Sequence, residues 1–318
     1  MNINVIGIDI GGTNLRGAVV DSKGKILKKY SLSSEANVGI DNLINNLIDL
    51  INNLRADFKI TGIGIGIPGI LDSKKGIITQ APNIKNAANY PIIKVLNSRI
   101  KPRLPLVIEN DANCAAFGEY KFGAGLGFKT LIMITLGTGV GGGIILNGEI
   151  WNGAHGMGGE IGHIKIYPDG NKCNCGNRGC LESYSSLVGI KNMIKKGLTE
   201  NKINKKLLEK IKSTKHDKLP ELFYEEAKSG NSFSKRLWEE FGKALGIGIS
   251  SLTNLLNVEI VVIGGGIANA WQMFIPSTKK AVKENTLIGP YQKLKISKSK
   301  LKNDAGILGA ASLILPEK

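Results

Sequence analysis

No stretch of the 318 residues approaches the roughly 18 consecutive apolar positions that a membrane-spanning helix needs, so no membrane span is expected. The opening MNINVIGIDIGG lacks a basic segment, an apolar core and a cleavage site in that order, so no secretory leader is expected and the cytoplasm is the expected compartment. Cysteine is scarce, at four residues. With no oxidising compartment indicated, disulfides are disfavoured. The first glycine loop is neither a Walker loop nor a G-x-G-x-x-G dinucleotide turn, because a strand rather than a helix follows it. Acidic residues are outnumbered, 26 against 42 basic ones, for a net charge of +16. The lysines are spread, with some density over 191–218 and 293–302. A nucleic-acid footprint would cluster them beside aromatics or on one helix. The excess reads as a solvated surface whose field favours an anionic substrate, with no nucleic-acid partner.

What is abundant is glycine, at 41 residues, gathered in short loops beside strands. Glycine there lets backbone approach a ligand. Residues 3–10 form an apolar, β-rich run ending at Gly11-Gly12-Thr13, followed by runs over 15–20 and 25–32. Ile40, Leu43, Ile44, Leu47, Ile48, Ile51 and Leu54 mark an amphipathic helix. Buried strands follow at 60–67, stopped by Pro68-Gly69, and at 105–108, ending in Glu109-Asn110-Asp111. Asn110 or Asp111 can cap the helix that begins there. A strand over 130–136 then runs into Gly137-Thr138-Gly139, another strand and an Asn147-Gly148 turn. Strand, glycine loop, strand, turn is thus repeated, Gly11 and Gly137 being about 126 residues apart. Two such lobes suggest a cleft that clamps a polyphosphate. Residues 184–257 read as broadly helical, 258–263 as a strand ending in Gly264-Gly265-Gly266, and 304–314 as a final helix.

The loops at Gly11, Gly12 and Gly137, Gly139 offer N–H groups to phosphate oxygens, and Thr13 and Thr138 add hydroxyls. Gly265 and Gly266 would admit a flat adenosine against backbone. With no Walker lysine, Mg²⁺ must carry much of the phosphate charge, and Asp9, at the end of the first strand, is placed to hold it through water. Asp111, at a strand end, is equally a general base and a helix cap on these grounds alone.

The chain is organised around GGEIGHIKIYPDGNKCNCGNRGCLE, residues 158–182. His163, Cys173, Cys175 and Cys180 supply the four N/S donors that a tetrahedral zinc ion takes, and Gly176 and Gly179 let the chain double back between them. Glu160 and Glu182 bracket the set. Cys114 reads as a small core residue, and His155 and His216 as ordinary surface residues.

Cys-x-Cys-Gly-x-x-Gly-Cys-Leu-Glu preceded by Glu-x-Gly-His, with DIGGTN at 9–14, ENDAN at 109–113 and LGTGVGGG at 136–143, resembles the ROK family, and within it the bacterial glucokinases. The resemblance covers nearly the whole chain. It implies an α/β, two-lobed actin/hexokinase-like (ribonuclease H-like repeat) fold with an interlobe cleft and a zinc-bound loop. The smaller lobe would be 1–118 plus 302–318, and the larger 119–301, with the zinc motif. The implied activity is ATP-dependent phosphorylation of the 6-hydroxyl of glucose. Asp111 would be the base, and Gly69, Asn83, Asn110, Asp111, Glu160, His163 and Glu182 would hold the sugar. Asp9, Gly11, Gly12, Thr13, Asn14, Gly137, Thr138, Gly139, Gly265 and Gly266 would hold Mg-ATP, with a structural Zn²⁺ on His163, Cys173, Cys175 and Cys180. A homodimer or homotetramer is also implied. The rivals are another hexose or N-acetylhexosamine (fructose, mannose, N-acetylmannosamine, N-acetylglucosamine) or another donor such as polyphosphate. Sugar-responsive repressors of the same family carry an added helix-turn-helix, and a first strand at Ile3 is expected to leave no room for one. Many members carry a Trp shortly after the Asn83 motif, where this chain has Asn86-Ala87-Ala88.

Overall fold

A computed structural model of the chain describes residues 3–316; residues 1–2 and 317–318, the extremities of the expected smaller lobe, lie outside the described residues. The fold is mixed α/β, with two five-stranded sheets and two compact units. The first unit comprises the residues up to Met133, Gly143–Gly159 and those from Ser299 on; the second comprises Ile134–Gly142 and Glu160–Lys298.

In the first unit, β1 (Asn4–Ile10), β2 (Asn14–Asp21) and β3 (Ile26–Ser33) form the antiparallel meander expected from the turn residues. Helix α1 (Ile40–Arg55) follows, then β4 (Ile60–Ile67), a small hairpin of β5 (Ile70–Asp72) and β6 (Ile77–Gln80), α2 (Ile92–Arg99), β7 (Leu106–Asn110) and α3 (Asp111–Phe122). The sheet order is β3-β2-β1-β4-β7, with β1, β4 and β7 parallel. Side chains alternate across a strand. Ile6, Ile8 and Ile10 therefore join the core beneath α1, where Leu43, Leu47, Leu50, Ile51 and Leu54 are fully buried. Val5, Ala18 and Val20 face the other way, onto the final helix.

The second sheet contains β8 (Leu131–Leu136), β9 (Val140–Leu146) and the short β10 (Glu149–Ile150). Residues 161–183 follow without long elements, and then α4 (Leu187–Thr199), α5 (Lys205–Ser213), α6 (Leu219–Lys228), α7 (Ser232–Leu256), β11 (Ile260–Gly264), α8 (Trp271–Asn285), α9 (Ile288–Lys293) and β12 (Lys295–Lys298). The order β10-β9-β8-β11-β12 repeats that of the first sheet strand for strand, so the sequence repeat is a repeat of topology. Trp238, Phe241 and Phe274 cluster between α7 and α8. No helix among the described residues is long and apolar enough to cross a membrane.

The last helix, α10 (Ala305–Ser312), belongs to the first unit and packs on β1, β4 and α3. Its approach is backbone to backbone. A Cβ on Gly64 would lie 1.8 Å from the Ala310 carbonyl oxygen, and one on Gly309 would lie 1.6 Å from that of Cys114. Glu119 of α3, fully buried, accepts hydrogen bonds from Ala124 N–H (2.7 Å), Ser299 Oγ–H (2.6 Å) and Leu301 N–H (2.8 Å), and so fastens the segment leading into α10.

Candidate functional site

In the first unit the candidate residues gather at the carboxyl ends of the parallel strands. Asp9 pairs in register with Gly66, and Gly66 with Glu109, so the three lie in one row across β1, β4 and β7. Two interstrand steps of about 4.8 Å put the backbones of Asp9 and Glu109 about 10 Å apart. Asp9 is nearly buried, and its carboxylate is paired with Arg16 on β2, its register partner. Burial pushes the Asp9 carboxyl above the usual carboxylate range, against the pull of the Arg16 cation. Cys114 is buried as expected, and desolvation, then the carboxylates of Glu109, Asp9 and Asp111, hold its thiol well above the ordinary range.

Between the two possible caps of α3 the structure selects Asn110. Its Oδ1 accepts from Ala112 N–H at 2.9 Å and Asn113 N–H at 3.2 Å, and its Nδ2 donates to the Gly69 carbonyl at 3.1 Å. Asp111 is the first residue of the helix, its Oδ1 3.0 Å from Ala112 N. Gly69 sits at φ +121°, and a Cβ there would meet the Gln80 carbonyl at 2.3 Å, so the turn requires glycine. Gly12, Thr13 and Asn83 line one cavity of about 560 Å³, together with Asn37, Pro82 and Lys85.

Four residues of this region carry no role in the sequence reading: Glu109, Asn113, Asn152 and Arg16. Glu109 Oε1 accepts from Asn110 N–H (2.7 Å) and Asn113 Nδ2 (3.1 Å), while its Oε2 accepts from Asn152 Nδ2 (2.8 Å). Asn113 Nδ2 also donates to Asn152 Oδ1 at 2.6 Å. The network underpins the Asn110-Asp111 turn, but Asn152 is remote in sequence and no local pattern announces it. Arg16 was legible in principle. A hairpin closed around Gly12-Thr13 puts residues 9 and 16 opposite each other.

In the second unit the glycine loops meet. Gly265 sits at φ +84° and a Cβ on it would fall 2.3 Å from the Leu136 carbonyl, so the 264–266 loop lies against the end of β8, beside Gly137. The 137–139 turn is closed by Gly137 N–H donating to the Gly139 carbonyl at 3.0 Å.

The donor atoms of His163, Cys173, Cys175 and Cys180 all lie within 4.8 Å of one another, and no disulfide joins the cysteines. Donors held 2.0–2.3 Å from a tetrahedral zinc ion lie about 3.3–3.8 Å apart. Cys175 Sγ–Cys180 Sγ is 3.8 Å and His163 Nδ1–Cys173 Sγ is 3.7 Å, so the set fits a closed zinc site. Gly176 (φ +91°) and Gly179 (φ +73°) make the expected reversals. Burial pushes the Cys173 thiol up to about 12, whereas the Asn177 N–H brings the exposed Cys175 down to about 7. His163 turns its other nitrogen, Nε2, toward Glu160 Oε2 at 3.9 Å. Glu182 stands on the opposite side, with Oε1 3.7 Å from Cys173 Sγ.

Two mixed sheets of repeated strand order, an Asp-bearing glycine hairpin and a Cys₃His loop define a recognisable class. Residues 5–317 match the ROK family, and the chain belongs to that family. A glucokinase from Thermotoga maritima is 34% identical over 315 residues, covering 98% of this chain and 97% of the relative. A xylose repressor from Caldicellulosiruptor bescii is 30% identical over 323 residues, covering 99% of this chain and 78% of the repressor. Among solved structures, a ROK family glucokinase from Streptomyces griseus, in complex with glucose and AMPPNP, superposes with a TM-score of 0.80 at 30% identity over 98% of each chain.

Proposed function

We propose that the chain is an ATP-dependent sugar kinase of the glucokinase type, which transfers the γ-phosphoryl group of ATP to the 6-hydroxyl of glucose. The observation that carries this reading is the Asn110-Asp111 turn. Asn110 accepts both capping bonds of α3, and Asp111, the first residue of that helix, lies two residues beyond Glu109, which shares a row with Asp9 through Gly66; that is where the reaction needs a general base. The names of the Thermotoga and Streptomyces relatives agree with it.

Phosphoryl transfer asks the protein to hold the phosphate in line, neutralise its charge and relieve the attacking hydroxyl of its proton. On this reading Asp111 takes that proton. Gly69, Asn83, Asn110, Glu160, His163 and Glu182 hold the sugar, because carboxylates and amides bond vicinal hydroxyls well. Gly11, Gly12, Thr13, Asn14, Gly137, Thr138 and Gly139 receive the phosphates, and Gly265 and Gly266 the adenosine. Asp9, oriented by Arg16, would hold Mg²⁺ through water, and the ion would supply charge neutralisation when bound. Zinc on His163, Cys173, Cys175 and Cys180 would have no vacant position, so its part is to fix the loop and the His163 ring. We also propose a homodimer or homotetramer, to be measured by light scattering.

The deciding experiment is a coupled ADP-release assay over a panel of hexoses and N-acetylhexosamines, repeated with polyphosphate as donor. Glucose with ATP should give the highest kcat/KM. A second reading, a kinase for another hexose or N-acetylhexosamine, is favoured by Asn86-Ala87-Ala88, which places no large aromatic beside Asn83. A different sugar at the head of the panel would replace the first reading with it. Absence of turnover, with an operator complex that survives physiological salt, would favour a repressor instead.

A further inference from the structure

Glu182 stands between two features that the kinase reading treats separately. Its Oε1 lies 3.7 Å from Cys173 Sγ, a member of the metal cluster. Its Oε2 accepts a hydrogen bond from Val140 N–H at 3.1 Å, and Val140 begins the strand that leaves the Gly137-Thr138-Gly139 loop. The approach is close. A Cβ on Gly139 would fall 2.2 Å from Oε2, so the carboxylate reaches its donor only because that residue is glycine. The backbone around Glu182 is tied to the same loop, with Leu187 N–H donating to the Gly137 carbonyl at 3.0 Å and Ser186 Oγ–H donating to the Glu182 carbonyl at 2.6 Å. On the other side of the cluster, Gly162, the neighbour of His163, is so near β9 that a Cβ would meet the Val140 carbonyl at 2.3 Å.

We infer that Glu182 is a positioning residue for the Gly137–Val140 loop, and that a metal ion in the His163, Cys173, Cys175 and Cys180 cluster thereby sets nucleotide affinity as well as sugar affinity. This rests on the kinase reading, in which that loop receives the phosphates. The reason is electrostatic and steric. A carboxylate-to-N–H bond is charge-assisted and directional. It fixes the peptide plane that follows the loop, and with it the direction of the loop's own donors. A dication in the cluster neutralises the thiolate beside Oε1 and holds the 173–182 turn, so the carboxylate stays seated on Val140. Without the ion, the turn that carries Cys173 and Glu182 loses its closure, and the carboxylate is no longer held against Val140.

The test is calorimetric titration of ADP, without sugar, into zinc-loaded protein, into zinc-depleted protein, and into depleted protein reloaded with zinc. The same titration is made on zinc-loaded Glu182→Gln and Gly139→Ala, with zinc content and melting recorded for each. Losing one charge-assisted bond within the loop's support should weaken ADP binding about tenfold in the depleted protein and in both variants. Reloading should restore the wild-type chain, and both variants should keep their zinc. Should Glu182→Gln not fold, the depletion series decides, since it leaves Glu182 and every residue of the loop in place. ADP affinity within about twofold of wild type in those samples, with glucose affinity alone reduced, overturns the inference and leaves the kinase reading intact. A zinc-loaded wild type that neither binds ADP nor phosphorylates any hexose overturns both.

Discussion

Asp111→Asn separates chemistry from architecture, because the structure gives the capping of α3 to its neighbour. The substitution keeps an Oδ1 within reach of Ala112 N–H and leaves both Asn110 capping bonds, at 2.9 and 3.2 Å, untouched. Its structural cost is the loss of one negative charge in the first helical turn, about 0.3–1 kcal/mol. In a unit of this size that lowers Tm by only about 1–4 °C. As a base, by contrast, the carboxylate contributes about 10²- to 10⁴-fold, or about 2.7–5.4 kcal/mol of barrier. Asn110→Ala should behave in the opposite sense. It removes the cap, at about 1–2 kcal/mol, and the bond to Gly69. The measurements are steady-state ADP release, glucose binding by calorimetry and differential scanning calorimetry on all three proteins. The expected pattern is a collapsed kcat with near-native glucose affinity and melting for Asp111→Asn, and a visibly lowered Tm for Asn110→Ala. A kcat within about threefold of wild type in Asp111→Asn, or a loss of several kcal/mol of stability, would refute the assignment of the base.

Glu119→Gln should cost about 2–3 kcal/mol, since an amide NH₂ must face at least one of the backbone donors now bonded to the carboxylate; a melting temperature unchanged by calorimetry would show that the anchor is dispensable. Cys175→Ser should lower zinc content below one ion per chain and reduce Tm, because metal-binding energy is partly folding energy; full zinc retention by elemental analysis would place the ion elsewhere. In zinc-depleted protein, the Cys175 thiol, held at about 7, should become reactive as pH rises through 7, because its thiolate forms above that value. Cys173, raised to about 12, should stay protonated and slow at pH 8; peptide mapping after brief iodoacetamide labelling that found Cys173 modified first would contradict this order.

The sequence carried the repeating parts of the fold better than the connections. Strands β4 and β8 and helix α1 lie within a residue of their expected bounds, because each is a long apolar run of one period. Strand β12 is lysine-bearing and half-exposed, so it has no apolar period to read, and its place is set by pairing with β11. Helix α8 contains Pro276, which argues locally against a helix and is outweighed by burial of Phe274, Thr278, Ala281 and Val282. The His163, Cys173, Cys175 and Cys180 cluster was legible because the chemistry of such a set demands proximity and the spacing is short. Glu109 lay inside a noted motif, yet its bond to Asn152 spans 43 residues, and long-range polar pairing leaves no trace in local order.

The position of α10 has a consequence for how the chain is made. The surface formed by Val5, Ala18 and Val20, with Gly64 and Gly118 beside it, is closed by a helix synthesised after the whole of 160–298. At ribosomal rates of about 5–20 residues per second, the roughly 180 residues from Met133 to Ser312 take about 10–35 s to appear. Throughout that interval the earlier-made strands carry an uncovered apolar face, and the residues of the second unit are all made, at Lys298, before α10 appears. The usual order of folding, first-made first, is therefore inverted. The unit whose strands emerge first is the last to close, and the nascent chain is open to chaperones and to aggregation on that one face until its final helix is released.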